Sequence, residues 1–182
     1  MKSSLAKWLF GLAGWSVSGN VSAEVPKAIL VVAPHTSNWD FVVGVFARAI
    51  TGMKIKYVGK ASLFKPPFGW LFRWLGGYPV DRIQQQDTVK FVIELFNRHE
   101  KFLFAISPEG TRKKTDRLRT GFYNIALGAK IPIVLVGFDY RMKKVSIYEP
   151  YWPTGDREAD FEYFLSYFRT VTGKHPEMGI DY

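Results

Sequence analysis

Residues 28–40 read AILVVAPHTSNWD and decide how the rest of the chain is organised. Residues 28–33 form a continuous aliphatic run, which is typical of a strand buried on both faces of a sheet. His35 lies just past the predicted carboxyl end of that strand, where sheets of this kind place reactive groups. A helix that begins near Asn38 would turn the carboxylate of Asp40 back toward the imidazole, because five residues span about one and a half helical turns.

The spacing of His35 and Asp40 admits two interpretations. A carboxylate held against one imidazole nitrogen fixes the tautomer and makes the other nitrogen a better base. Alternatively, His35 is a satisfied structural histidine and Asp40 only caps the helix. The spacing alone leaves both interpretations open.

A second apolar run, residues 102–106 (FLFAI), also leads into a polar turn. This turn, residues 107–112, reads SPEGTR and supplies a carboxylate, a glycine, a hydroxyl and a guanidinium. Gly110 permits a close approach of the backbone to an anion, and Arg112 offers the bidentate donor geometry that phosphate oxygens accept. The turn therefore predicts a phosphate site, although an ordinary solvated turn has a similar composition.

Together the two polar stretches resemble motifs of the glycerolipid acyltransferase family, in which a His with an Asp five positions later precedes a Pro-Glu-Gly-Thr-Arg block. The family's second motif is similar to residues 59–70 (GKASLFKPPFGW) and 77–82 (GYPVDR). Its fourth motif, a proline entering an apolar strand, is similar to residues 131–134 (IPIV). The family usually has Asn, an aromatic residue and a second proline at three positions that are occupied here by Pro34, Ser107 and Leu135.

The resemblance implies an enzyme that transfers a fatty acyl group from acyl-CoA or acyl carrier protein to a hydroxyl of a lysophospholipid similar to lysophosphatidic acid. It implies that His35 is the general base and that Asp40 orients it. The residues that it implies bind the acceptor or order its site are Lys60, Arg82, Glu109, Gly110, Thr111 and Arg112. The alternatives are the same chemistry on a lyso-aminolipid, another lysophospholipid or glycerol 3-phosphate, or a lipid-binding protein without catalysis.

The residue types favour direct attack by the acceptor hydroxyl rather than a covalent intermediate. The chain has no cysteine and no Gly-x-Ser-x-Gly segment, and Ser37 is interpreted as a turn or capping residue. We expect no metal or other cofactor besides the acyl donor as co-substrate. His99 and His175 lie in charged surroundings, and the lack of cysteine excludes thiolate ligands.

Charge and aromatic content favour an anionic surface as a partner. The 25 Lys and Arg residues outnumber the 16 Asp and Glu residues, for a formal net charge of +9. The cations are scattered and no recognition motif is present, which argues against a nucleic-acid-binding module. Residues 64–74 (FKPPFGWLFRW) interleave aromatic and cationic residues, as proteins do at membrane interfaces, with a core-packed helix as the alternative.

Residues 1–20 predict an amphipathic membrane-associating segment that precedes an acyltransferase domain of residues 21–182. A helical face opposite Lys7 carries only apolar side chains, as in interfacial helices, namely Met1, Leu5, Trp8, Leu9, Leu12 and Trp15. A cleaved signal peptide is the alternative, since residues 21–23 are small and precede Glu24. No apolar run reaches the length of a membrane span, so we expect a peripheral or monotopic protein on the cytoplasmic face of the cell membrane.

Strand and helix patterns alternate along the chain, which predicts a single α/β domain with a largely parallel central sheet flanked by helices. Asp87 is predicted to cap a helix with an apolar stripe formed by Val89, Val92, Ile93 and Phe96. The other predicted helices cover residues 38–50, 68–75, 122–129 and a last segment striped by Phe161, Phe164, Leu165 and Phe168. The predicted strands are residues 28–33, 54–59, 78–80, 102–106, 133–138 and 145–148.

Overall fold

The computed structural model describes residues 3–80, 85–112 and 114–179. Its helices are α1 (Ser3–Leu12), α2 (Trp39–Thr51), α3 (Gly69–Trp74), α4 (Gln85–Arg98), α5 (Gly121–Ala129) and α6 (Arg157–Phe168). Its strands are β1 (Ser16–Ser18), β2 (Lys27–Ala33), β3 (Ile55–Lys60), β4 (Gly77–Val80), β5 (Phe102–Ile106), β6 (Ile133–Asp139) and β7 (Lys144–Ile147). Two 3₁₀ turns cover Ala61–Phe64 and Pro176–Met178.

The strands form one sheet in the order β1-β7-β6-β2-β5-β3-β4. Strand β2 lies at the centre, where Val31 is in register with Ile106 of β5 and with Leu135 of β6. The neighbouring strands run parallel except for the antiparallel pair of β6 and β7. The prediction of an α/β domain with a largely parallel sheet is confirmed.

The aliphatic run of β2 is explained by burial on both faces of the sheet. Ile29 and Val31 pack into one apolar cluster, whereas Ala28 and Leu30 pack into the other, as the two-residue period of a strand requires. Helices α4, α5 and α6 cover the first face, and helices α1 and α2 cover the second. Because both faces are covered, polar groups at the centre of the sheet reach solvent only past the ends of the strands.

The prediction that Asp87 caps a helix is wrong, because α4 begins two residues earlier, at Gln85. An acidic residue is favoured in the first helical turn as well as at the cap, since both positions lie at the positive end of the helix dipole. The presence of an aspartate at position 87 therefore could not show whether this residue caps the helix or lies in its first turn. The predicted apolar stripe of this helix does pack into the core, with Val92 and Phe96 fully buried.

The N-terminal helix packs against α2 through one of its faces. Ala6 and Phe10 are buried, and the Phe10 ring stacks on Phe46 with 5.3 Å between ring centroids. The hydroxyl of Ser3 donates to the carbonyl of Ile50 at 3.0 Å, so α1 runs antiparallel to α2. The neighbouring face of α1 leaves four large apolar side chains exposed, namely Leu5, Trp8, Leu9 and Leu12. Among the described residues, no helix combines the length and apolarity needed to cross a bilayer.

Candidate active site

The candidate site forms where β2, β5 and β6 end at the same edge of the sheet. His35 follows β2 by two residues, and Asp40 lies in the first turn of α2. The two side chains differ in exposure: 32% of the His35 side chain is exposed, whereas Asp40 is buried. The imidazole can therefore meet a substrate, while its carboxylate partner lies behind it.

Both oxygens of Asp40 accept hydrogen bonds. Oδ2 lies 2.9 Å from His35 Nδ1 and accepts from the backbone N–H of Ser37, also at 2.9 Å. Oδ1 accepts from the Tyr140 hydroxyl at 2.7 Å. Burial opposes ionisation of this carboxyl, but the hydrogen bonds from His35, Tyr140 and Ser37 outweigh it and hold the pKa of Asp40 below its usual value.

The hydrogen bond to Asp40 determines which nitrogen of His35 can act as a base. An ionised carboxylate only accepts, so the neutral imidazole carries its proton on Nδ1. The lone pair then lies on Nε2, the nitrogen turned away from the contact with Asp40. This arrangement can remove a proton from a hydroxyl placed against Nε2.

Glu109, from the loop after β5, holds the backbone of the same histidine. Its Oε2 accepts from the backbone N–H of His35 at 2.7 Å and from the Ser107 hydroxyl at 3.2 Å. Its Oε1 is buried and accepts no hydrogen bond from any residue in the described ranges. Burial raises the pKa of Glu109 from 4.5 to about 6. In this structure Glu109 therefore joins the loop after β5 to the loop after β2.

Gly110 is favoured by its backbone conformation and by the close approach of the Arg119 side chain. Its φ of 66° lies in the left-handed region that favours glycine. A Cβ at this position would lie 2.5 Å from Nε of Arg119, and that nitrogen donates to the carbonyl of Glu109 at 3.2 Å. Arg119, which sequence reasoning missed, thus holds the turn that carries Glu109.

Of the remaining candidate residues, the structure describes Lys60, Thr111 and Arg112. Lys60 is exposed at the end of β3, the strand beyond β5. Thr111 and Arg112 follow Gly110, with Arg112 exposed. Arg82 lies outside the described residues. The structure therefore brings His35, Asp40 and Glu109 together, and it places Lys60 at the end of β3 and Arg112 in the loop after β5 at the same edge of the sheet.

A segment after α6 covers the loop after β2 and was also missed by sequence reasoning. The Thr172 carbonyl accepts from the backbone N–H of Tyr140 at 2.8 Å, and the backbone N–H of His175 donates to the Thr36 hydroxyl at 3.1 Å. The Lys174 ammonium lies 4.9 Å from the centroid of the Trp39 ring. In the described part of the chain, no group of three or more His, Cys, Asp or Glu side chains could hold a metal ion.

Comparisons with known proteins relate this chain to acyltransferases. A family model described as Acyltransferase matches residues 16–139. Over 133 residues the chain is 29% identical to a 1-acyl-sn-glycerol-3-phosphate acyltransferase of Streptococcus pneumoniae, an alignment that covers 68% of this chain and 49% of that protein. The chain thus spans about half the length of this curated relative.

A solved structure has a similar fold. The crystal structure of PlsC, the 1-acyl-sn-glycerophosphate (LPA) acyltransferase of Thermotoga maritima, superposes with a TM-score of 0.61. The alignment covers 93% of this chain and 76% of that chain, at 23% identity. At this identity the likeness shows that the two proteins share a fold.

Proposed function

The chain belongs to the acyltransferase family, and from this premise we propose that it transfers a fatty acyl group to a hydroxyl of a lysophospholipid similar to lysophosphatidic acid. The donor in this proposal is a thioester, either acyl-CoA or acyl carrier protein. The observation that carries the proposal is the 2.9 Å contact between Nδ1 of a partly exposed His35 and a buried Asp40 at the carboxyl edge of the sheet. The name of the curated relative supports the choice of acceptor.

In the proposed mechanism, His35 acts as the general base and Asp40 orients it. Nε2 takes the proton from the acceptor hydroxyl while the hydroxyl oxygen attacks the thioester carbonyl. The bond from the carbonyl carbon to sulfur then breaks, and the proton passes to the departing thiolate or to solvent. Asp40 stabilises the imidazolium that exists between these two proton transfers.

The acceptor's phosphate is proposed to bind to the cations Lys60, Arg82 and Arg112. Arg112 is exposed in the loop after β5, and Arg82 completes the second motif that resembles the family. Lys60 shares this edge of the sheet, and Gly110 and Thr111 continue the turn from Glu109. Guanidinium groups bind phosphate oxygens in a bidentate geometry, which would fix the acceptor hydroxyl relative to His35.

We also propose that the protein lies on the cytoplasmic face of the cell membrane through the outer surface of α1, α2 and α3. Helix α2 lies between the other two, since Phe10 of α1 stacks on Phe46 and Phe72 of α3 contacts Phe41. The outward side chains include Trp8, Trp70 and Trp74, which are 60%, 68% and 71% exposed. Apolar burial at the lipid interface and a net charge of +9 would both favour an anionic bilayer.

Flotation with liposomes tests this docking surface. Replacing Trp8 and Leu12 together by Ser should sharply reduce binding, because about 1.5 to 3 kcal/mol is gained per buried large apolar side chain. The matched control replaces Trp152 and Leu127 together by Ser. Both side chains are exposed but lie outside α1, α2 and α3. Equal binding of the two double variants, or binding that salt abolishes completely, would contradict the proposed surface.

An acyl-transfer assay tests the proposed reaction. The purified full chain is mixed with acyl-CoA or with acylated carrier protein and a panel of lysolipid acceptors, and products are identified by lipid mass spectrometry. We expect transfer to lysophosphatidic acid, loss of transfer in His35→Ala, and retention in the control His99→Ala, whose ring stacks on Phe102 at the opposite edge of the sheet. No transfer to any acceptor, or undiminished transfer by His35→Ala, would overturn the proposal.

A further inference from the structure

Tyr140 is the first residue after β6 and is held in place by three separate contacts. Its hydroxyl donates to Oδ1 of Asp40 at 2.7 Å. Its backbone N–H donates to the Thr172 carbonyl at 2.8 Å. Its ring and the Trp15 ring form a T-shaped pair, with 4.9 Å between centroids and 88° between planes. The backbone, the ring and the hydroxyl are thus each fixed by a different segment of the chain.

We propose that Tyr140 is a positioning residue that tunes His35 through Asp40, an inference that rests on the function proposed above. The Tyr140 hydroxyl donates to Oδ1 of Asp40, whereas His35 lies against Oδ2. It occupies the carboxylate oxygen that His35 leaves free, and it thereby sets how strongly that carboxylate attracts the proton on Nδ1. It lies one residue beyond the segment that the family model matches.

The first consequence of this contact is geometric. Oδ2 of Asp40 is already shared between His35 and the backbone of Ser37. With Oδ1 anchored by the Tyr140 hydroxyl, the carboxylate plane cannot rotate without breaking a short hydrogen bond. The imidazole plane, and with it the direction of the Nε2 lone pair, is therefore fixed by residues about 100 positions apart.

The second consequence is electrostatic. A hydroxyl that donates to a carboxylate draws negative charge toward itself, so the carboxylate stabilises the neighbouring imidazolium less. Without the hydroxyl, Asp40 would stabilise the protonated form of His35 more strongly. A general base that is protonated at neutral pH cannot accept a proton, so the Tyr140 hydroxyl keeps more of the base in its active form.

The Tyr140 hydroxyl remains a donor throughout the pH range of interest. Burial and the hydrogen bond to Asp40 both raise the pKa of Tyr140 above its usual value. The loops and segments packed around His35 also bring other titratable and charged groups, namely Asp40, Glu109, Arg119, Lys174 and His175. Burial raises the pKa of Glu109 to about 6, so Glu109 changes its charge within the range of the experiment. The effect of the Tyr140 hydroxyl on His35 must therefore be measured as a difference between variants across the same pH series.

Tyr140→Phe removes the hydroxyl and keeps the ring that packs on Trp15. We follow the His35 imidazole by NMR with labelled histidine, assigned from its absence in His35→Ala, and expect its protonated form to persist to higher pH than in the wild type. In the plot of kcat/KM against pH, the acid limb should likewise move to higher pH. The matched control Tyr163→Phe, which removes an exposed phenol on α6, should move neither.

A second substitution keeps the test decisive if Tyr140→Phe folds poorly. Site-specific 3-fluorotyrosine at position 140 is a stronger donor of nearly the same size, so it should move the His35 titration downward. An unmoved titration in folded Tyr140→Phe, or a lower kcat with no displacement of the acid limb, would overturn the inference. The imidazole titration needs no substrate, so it decides the role of Tyr140 even if the acyl-transfer assay fails.

Discussion

Asp40 and Asp160 are both buried carboxylates that accept a hydrogen bond from a tyrosine, yet their surroundings differ. Asp160, in α6, accepts from the hydroxyls of Tyr123 and Tyr151 at 2.8 and 2.5 Å. It also accepts from the backbone N–H and the hydroxyl of Thr154, at 2.9 and 2.8 Å. In both cases burial opposes ionisation, and hydrogen bonds outweigh it to hold the pKa of the carboxyl below its usual value.

The difference lies in the donors. The described donors to Asp160 are all neutral, and together they join α6 to α5 and to the segment before α6. Asp40 instead shares Oδ2 with an imidazole that is partly exposed and can change its charge. A buried carboxylate saturated by neutral donors stabilises the fold, whereas one that faces a titratable, accessible group can take part in proton transfer.

The largest expected effect follows from the substitution Asp40→Asn. An amide cannot favour the Nδ1–H tautomer or stabilise the imidazolium as a carboxylate does, so kcat/KM for acyl transfer should fall by ~10²–10⁴-fold. Circular dichroism and urea unfolding should show a folded protein. Activity within a few fold of the wild type would remove the distinction between the two carboxylates.

The same substitution at the other carboxylate, Asp160→Asn, should act on stability instead. The side-chain NH₂ group would face donors that need an acceptor, so we expect the free energy of unfolding to fall by roughly 2 to 4 kcal/mol in urea titrations. The kcat/KM of the folded protein should stay within about threefold of the wild type. A large loss of turnover at full stability would contradict a purely structural role for Asp160.

Arg112→Ala sharpens the comparison by separating binding from proton transfer. A charge-assisted contact contributes roughly 1.5–3 kcal/mol, so the apparent KM for the acceptor should rise ~10–100-fold while the KM for the donor changes little. Arg82→Ala should behave in the same way, and lysine at either position should rescue only partly. The control Arg98→Ala removes an exposed arginine of α4 that pairs with Glu94. A rise in the donor KM alone would assign these arginines to the donor.

Glu109 provides a third buried carboxylate, and its expected effect is the smallest. Burial raises its pKa from 4.5 to about 6, so the folded protein binds this proton more tightly than the unfolded chain does. Stability from the bound proton is present below pH 4.5 and is lost as the pH rises through about 6, a change of roughly 2 kcal/mol. The difference in unfolding free energy between wild type and Glu109→Gln should therefore change across this range, with Glu94→Gln as the exposed control. A constant difference would contradict the raised pKa.

Much of the fold follows from local sequence pattern. The predicted bounds of β5 match the structure at both ends, and the strand predicted at residues 28–33 lacks only Lys27 of β2. Both strands are continuous apolar runs bounded by polar residues, so the pattern itself indicates where each strand begins and ends. The proximity of His35 to Asp40 is also a local property, since Asp40 follows His35 by five positions across a strand end and a helix start. Local pattern therefore identified the pair at the centre of the candidate site.

The contacts that surround this pair depend on tertiary structure. Tyr140 is 100 residues from Asp40, and only the pairing of β6 beside β2 brings it to the same edge. Its position directly after a predicted strand was the one available signal, and tyrosine is too common at such positions to be informative. Arg119 and the segment around Thr172 carried no signal of their own, because backbone carbonyls and loop packing decide their contacts.

The central claim, that His35 and Asp40 act in one proton-transfer step, is tested most directly by a double-mutant cycle. Acyl transfer to lysophosphatidic acid is measured for the wild type, His35→Ala, Asp40→Asn and the double variant. We predict a ~10²–10⁴-fold loss of kcat/KM for His35→Ala and a double variant within about threefold of the worse single one, because both changes affect the same step. Losses that multiply, or a folded His35→Ala protein with wild-type turnover, would contradict the account.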